Sequence, residues 1–358
     1  MLELRASEGA FARVEGWLRE RGFFDHGGED LVADLFLGYG LSESIRRGTA
    51  PSPPEPCAEL PLAAVALRDP SRGEARRGTS LQIGRWERSW TPGRYAGAVE
   101  QVRRAIERGD VYQVNLVQHL EAPFAGDPAE LARRLAPLVA EPCPPLAGEG
   151  WAIVSASPEL FLARRGDRVR TMPIKGTRPL DSSDDLVGSV KDAAEHVMIV
   201  DLERNDLSRV CLAGSIRWPE LMVERPLAGV RHLVSTVEGT LRPGVGLAEL
   251  LGATFPGGSV TGAPKIAAVD LIAELEPVGR GASMGALGWV RGNGDLELAL
   301  TIRTFAIGGG RIHLGVGGGV VWDSDPAEEV EESLSKAAPL LAAVGAPLDT
   351  CSPSAVCA

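Results

Sequence analysis

Lysine is nearly absent from this chain. Of 37 basic residues only four are lysine, Lys175, Lys191, Lys265 and Lys336, and arginine supplies the rest. A guanidinium keeps its proton and serves wherever a fixed positive charge is wanted, whereas an amine can shed its proton and attack carbon. Each lysine is therefore either an incidental charge on a solvated face or a group placed for work that arginine cannot do. Cysteine is also scarce. Cys57, Cys143, Cys211, Cys351 and Cys357 are odd in number and have no C-x-x-C spacing, which excludes a disulfide framework and a zinc site. The formal net charge of −11 leaves no basic footprint, so nucleic acid and anionic membrane surfaces are excluded as partners. No apolar run is long enough to span a bilayer, and the opening MLELRASEGAFARVEGW lacks the basic start and apolar stretch of a secretion signal, so a cytoplasmic location is expected. Neither a P-loop nor a G-x-G-x-x-G is present.

What is present describes a globular protein, 44% hydrophobic and 24% charged over 358 residues. Pro/Gly/charge-rich stretches at 50–59 and 68–79 read as loops within a short N-terminal portion, 1–90, integrated with the main fold. A catalytic domain is expected over 91–345, followed by a flexible tail, 346–358, made of small residues. In YAGAVEQVRRAIERGD, Tyr95, Val99, Val102 and Ile106 form one helical stripe that Gly109 ends. VYQVNLVQHL alternates as a strand. WAIVSASPELFLARR and LELALTIRTFAI read as long single strands, with others at RVRTMPI, SIRWPELMVE, LVSTVEGTL, GALGWVRG and RIHLGVGGGVVW. Helices are predicted near 186–206, 246–253, 262–275 and 326–344. Long strands joined by turns, with the helices in groups, predict an α+β fold of large antiparallel sheets packed together, with helices outside.

Four stretches bear on chemistry. Asp192 and Glu195 share a helical face with Ile199 and Leu202, and Glu329, Glu332 and Lys336 fall at i, i+3 and i+7. Two such faces could converge on Mg²⁺; equally, acidic helix starts suit the macrodipole and a Glu with a following Lys is an ordinary surface pair. In HLGVGGGVVW, Gly317, Gly318 and Gly319 allow close backbone approach to an anion, or form a plain turn or bulge. In FPGGSVTGAPK, Thr261 is read as the cap of a helix that Pro264 helps to start. Arg303 interrupts a strongly apolar strand and calls for a carboxylate partner, from the protein or from a ligand.

Taken in order, SPELFL, PIKGTRP, EHVMIVDLERNDLSRV, HLVSTVEGTL, FPGGSVTGAPK, GALGWV, TIRTF and GVGGGVVWDSDPAEEVEESLSKA resemble the chorismate-utilising enzymes over about residues 94 to 340. Its aminodeoxychorismate synthases carry P-I-K-G-T where anthranilate synthases have alanine for the lysine, and GDVYQVNL is similar to the form found in the former branch. The resemblance implies a covalent nucleophile at Lys175 and acid/base roles for Glu159 and His232. It also implies Mg²⁺ ligands at Glu195 and Glu332 with Asp192, Glu329 and Lys336 behind them. Substrate contacts are implied at Arg303, Gly176, Thr177, Trp289, Gly317, Gly318 and Gly319. The implied reaction replaces the 4-hydroxyl of chorismate by an amino group, on the way to 4-aminobenzoate and folate. The cysteines offer no nucleophile for a glutaminase, so a separate glutamine amidotransferase is the implied source of ammonia. An anthranilate synthase and a chorismate-binding regulatory subunit without turnover are the rival readings.

Overall fold

The computed structural model describes residues 1–25, 28, 30–68, 80–139, 144–179, 190–227, 230–347 and 352–353. Two large sheets organise it. The first runs, in spatial order, Leu2–Leu4, Ala63–Leu67, Val32–Leu37, Ala286–Arg291, Leu296–Leu300, Leu160–Arg165, Arg168–Met172, Val230–Thr240 and Ile174–Pro179, with Arg217–Leu227 also paired to Val230–Thr240. The second runs Ser352–Pro353, Glu87–Arg88, Gln113–Gly126, Arg311–Val320, Thr304–Gly308, Trp151–Ser155 and Leu146–Gly148. Gly262–Ala263 and Leu81–Ile83 add to Gln113–Gly126. Pairing is antiparallel except where Ser352–Pro353 meets Glu87–Arg88, and the remainder of the 348–358 tail lies outside the described residues. The α+β architecture matches the pattern of the sequence. Strands of the N-terminal portion extend the first sheet from Ala286–Arg291, through the register Leu35 to Gly288.

The interior between the sheets is apolar, with Phe36, Ala64 and Leu287 from the first meeting Ile153 and Ala306 from the second. Burial of each such large side chain is worth roughly 1.5–3 kcal/mol. Helix Pro92–Glu107 buries Tyr95, Ala98, Val99 and Val102. Its start is fixed by Pro92 and by the Thr91 hydroxyl, which accepts from the Arg94 N–H at 3.2 Å. Helix Pro326–Ala343 packs against both it and strand Arg311–Val320. Helix Val190–Ser208 lies on Val230–Thr240 and Ile174–Pro179.

Two sequence expectations are corrected here. WAIVSASPELFLARR and LELALTIRTFAI are each two strands, not one, and the halves belong to different sheets. Trp151–Ser155 pairs with Thr304–Gly308 in the second sheet, while Leu160–Arg165 pairs with Leu296–Leu300 in the first. Both chains therefore cross between sheets side by side. Thr261 is not the helix cap either. Gly262 and Ala263 pair with Val114 and Gln113, so the helix begins only at Lys265, and the Thr261 hydroxyl donates instead to the carbonyls of Gly257 and Gly258.

Candidate active site

The double crossing sets the first two functional side chains. At one crossing the Ala156 N–H donates to the Arg303 carbonyl, and at the other the Leu300 N–H donates to the Glu159 carbonyl, each at 3.0 Å. Arg303 has a left-handed φ of 50°, a backbone conformation that costs of order 1 kcal/mol or more for a side-chain-bearing residue and is held by these strands. Its guanidinium has no ion-pair partner among the described residues. Burial lowers its pKa, and the charge of Glu159 works against that. Glu159 is 5% exposed. Burial pushes its carboxyl up, against the Ser259 hydrogen bond and the charge of Lys175. A carboxyl so placed favours its neutral, proton-donating form.

Lys175 sits in Ile174–Pro179, where a bulge between Lys175 and Thr177 interrupts the register with Val230–Thr240. Gly176 takes φ 67° at that bulge, a conformation suited to glycine. Lys175 Nζ donates to Glu195 Oε1 at 2.5 Å, and Gln113 Nε2 donates to the same oxygen at 2.6 Å. Burial works to raise Glu195, but the charge and hydrogen bond of Lys175, with the hydrogen bond from Gln113, leave it below its ordinary value. His232, buried and paired in register with Thr177, is lowered to about 4 by burial and by the charge of Arg303. It is a neutral imidazole near pH 7.

The glycines lie as the strand reading of RIHLGVGGGVVW expects, and the turn alternative is set aside. Gly317, Gly318 and Gly319 form no turn after the strand; they continue it, in register with Val117, Leu116 and Asn115. Thr304–Gly308 pairs only as far as Leu314, so the strand has an open edge beyond that point. The Gly315 N–H uses this edge to donate to Ser283 Oγ, and alternation aims the Gly317 and Gly319 N–H groups the same way while Gly318 faces its partner strand. Gly318 matters through its missing side chain. A Cβ there would lie 3.2 Å from Glu329 Oε2, 3.3 Å from Lys336 Nζ and 3.5 Å from Glu332 Oε1, and one on Gly319 would lie 2.9 Å from Glu195 Oε1.

The acidic helix is set by Asp325, whose carboxylate caps the Ala327 and Glu328 N–H groups. Glu329 is buried and accepts from the Ser324 hydroxyl at 2.7 Å, while Lys336 joins Glu332 at 2.7 Å and the Gly317 carbonyl at 3.0 Å. Carboxylates from two helices thus reach neighbouring positions of one glycine strand, a donor set of hard oxygens that suits Mg²⁺. Among the described residues, no three His, Cys, Asp or Glu side chains form a ready-made cation cage. The side chains of Asp192 and Thr177 lie outside the described set.

Trp289 is not brought to this cluster. It is in register with Asp34 and Glu297, toward the far ends of the strands from Glu159, with Arg165 and Arg291 over its ring at 4.9 and 5.1 Å. The sequence reading also passed over three residues. Gln113 is fully buried on a strand that looked half-solvated, and Ser259 holds Glu159 at 2.7 Å. Glu203, buried, accepts from the Gly258 N–H at 3.0 Å. Polar residues on an apolar strand and in a glycine-rich loop were the available signals.

A charged cluster that offers a lysine, a buried carboxyl, an arginine and a strand edge suits a small carboxylate-bearing substrate. In comparison with known proteins, residues 48–342 match the chorismate binding enzyme family. The chain belongs to that family. Among the relatives of this chorismate-binding enzyme, aminodeoxychorismate synthase component 1 of Escherichia coli is 41% identical over 264 residues, covering 70% of this chain and 57% of the relative. Anthranilate synthase component 1 of Streptomyces coelicolor is 38% identical over 328 residues, 88% of this chain and 60% of the relative. The chain therefore spans about three fifths of the length of these curated relatives. Among solved structures, anthranilate synthase component I from Streptococcus pneumoniae superimposes with a TM-score of 0.75 at 28% identity, covering 86% of this chain and 80% of that one. A putative 2,3-dihydroxybenzoate-specific isochorismate synthase from Bacillus anthracis gives 0.76 at 25% identity, covering 96% and 91%. Among the described residues, no helix is long and apolar enough to cross a membrane.

Proposed function

We propose that this chorismate-binding enzyme is an aminodeoxychorismate synthase, which forms 4-amino-4-deoxychorismate from chorismate and ammonia. The observation that carries the reading is Lys175, a rare lysine set at a strand bulge in the same charged cluster as Glu159, Glu195 and Arg303. In the proposed mechanism the neutral Lys175 amine forms a bond to C2 of the ring, the ring double bonds shift, and the C4–O bond breaks. Glu159 gives its proton to the departing hydroxyl, which leaves as water. Ammonia then bonds to C4, the double bonds shift back, the C2–N bond to Lys175 breaks to return the neutral amine, and the ammonium formed at C4 gives a proton back to Glu159. Two conjugate displacements replace one direct substitution, the usual gain from a covalent intermediate.

Arg303 and the Gly317 and Gly319 N–H groups would hold the substrate's two carboxylates. Glu195 and Glu332 would hold Mg²⁺, which supplies compensating positive charge for a dianion entering an acidic protein. In the same reading the product feeds 4-aminobenzoate and folate synthesis in the cytoplasm. The relatives' designation as component 1 supports a partner subunit, which we assign as a glutamine amidotransferase that releases ammonia.

The test is a product assay by mass spectrometry with chorismate, Mg²⁺ and an ammonium salt, comparing wild type with Lys175→Ala. Aminodeoxychorismate from wild type, and its loss in the variant, support the reading. Anthranilate from wild type would transfer the chain to the other branch, to which the Streptomyces relative belongs. Binding without product would leave a regulatory subunit.

A further inference from the structure

Glu159 accepts two hydrogen bonds on one and the same oxygen. Ser259 Oγ donates to Oε1 at 2.7 Å, and the Ile174 N–H reaches it at 3.4 Å. An oxygen engaged by two donors is the acceptor oxygen of a neutral carboxyl, so the proton belongs on Oε2. We propose that Ser259 is a positioning residue that fixes which oxygen of Glu159 carries the transferable proton.

The loop that carries Ser259 is braced from both sides. From helix Val190–Ser208, Glu203 accepts the Gly258 N–H at 3.0 Å. From helix Lys265–Leu275, Lys265 donates to the carbonyls of Thr254 at 3.1 Å and Pro256 at 2.6 Å, and pairs with Asp206 of the first helix. The approach is close: a Cβ on Gly257 would lie 2.8 Å from Leu300 Cδ2, and one on Gly258 would lie 2.7 Å from Leu202 Cδ2 and 3.0 Å from Glu203 Oε1. Ser259 and Glu159 are 6% and 5% exposed, so bulk water is poorly placed to replace the hydroxyl. The buried Glu203 and Asp206 and the half-buried Lys265, distant in sequence from the nucleophile, thereby act on the reaction through a single hydroxyl.

The inference rests on the acid role assigned to Glu159, and the experiment separates the two. The pH dependence of kcat is measured for wild type, Ser259→Ala, Ser259→Thr, Glu159→Gln and the double variant Ser259→Ala/Glu159→Gln. The limb of the profile that Glu159→Gln removes is the one that reports Glu159. In Ser259→Ala that limb moves to higher pH, because the hydroxyl no longer stabilises the ionised carboxylate, and kcat falls roughly ten- to a hundredfold with KM little changed. Ser259→Thr restores both, and the alanine change adds no further loss in the Glu159→Gln background. If Ser259→Ala does not fold, Ser259→Cys, of similar size but a weak donor, takes its place with the same expectation. An unmoved limb, or an equal loss with and without the carboxyl, overturns the positioning role alone. Wild-type kcat in Glu159→Gln overturns the acid role and the positioning role with it.

Discussion

Lys175 and Glu195 meet at 2.5 Å, and the oxygen they share is also held by Gln113. Nucleophile and proposed cation ligand are thus coupled, since a cation drawing on the Glu195 carboxylate competes with Lys175 Nζ for it. We expect Glu195→Gln to fold normally and to weaken Mg²⁺ binding by at least about tenfold in a calorimetric titration in the presence of chorismate. Affinity equal to wild type would remove Glu195 from the cation site.

Arg280 is the most deeply buried charge among the described residues, at 1% exposure. It donates to both Glu276 oxygens, at 2.9 and 2.7 Å, and to the carbonyls of Val260 and Asn115. Removing one member leaves the other charge buried and alone. Arg280→Met is expected to cost about 3–5 kcal/mol in urea unfolding, and Arg280→Met/Glu276→Met considerably less than two single changes added together.

Acid should unfold the protein partly through histidine. His119 is buried, neither ring nitrogen has a partner among the described residues, and burial with the nearby charges of His313 and Arg280 lowers it to about 3. The unfolded chain then binds more protons than the native state between the ordinary value near 6.5 and about 3. Stability contributed by this neutral ring is present above pH 6.5 and is lost as pH falls through that window. His119→Leu should flatten the slope of unfolding free energy against pH by at most ~1.4 kcal/mol per pH unit. An unchanged slope in the variant would show that His119 takes no part.

Trp289, which the sequence resemblance placed at the substrate, stacks between Arg165 and Arg291. Trp289→Leu is therefore expected to leave KM for chorismate within about twofold, while the loss of cation–π contacts costs about 0.5–1 kcal/mol. A tenfold rise in KM would return this residue to the site.

Helix positions were legible because their signals are local. The stripe from Tyr95 to Val102 and the glycine at 109 each act on the backbone within a few residues of where they stand. Lys175 stood out by composition, and the acidic spacings of the last helix did bring Glu329, Glu332 and Lys336 to the glycine strand. The sheet crossings were not legible, because an apolar run looks the same whether its two halves pair in one sheet or in two. Gln113 and Gln118 misled for a related reason. Alternation implies a wet face, yet both are fully buried, Gln118 between Arg88 and Ser333, because helices and strands cover that side. Burial of a polar face depends on what packs over it, and that is decided by residues more than two hundred positions away.

The paired crossings that place Glu159 and Arg303 also set how the site comes into being. Their two linking hydrogen bonds join segments about 140 residues apart in sequence, one at the end of each sheet. Neither local helix formation nor a single hairpin can assemble this constellation, so it arises only when both sheets have closed. By the same token, fraying of the end strand Ile174–Pro179 would disturb Lys175 while leaving the two bonds that link Glu159 and Arg303 to the opposite segments in place. Catalytic geometry and cooperative stability are, at this point in the molecule, one property.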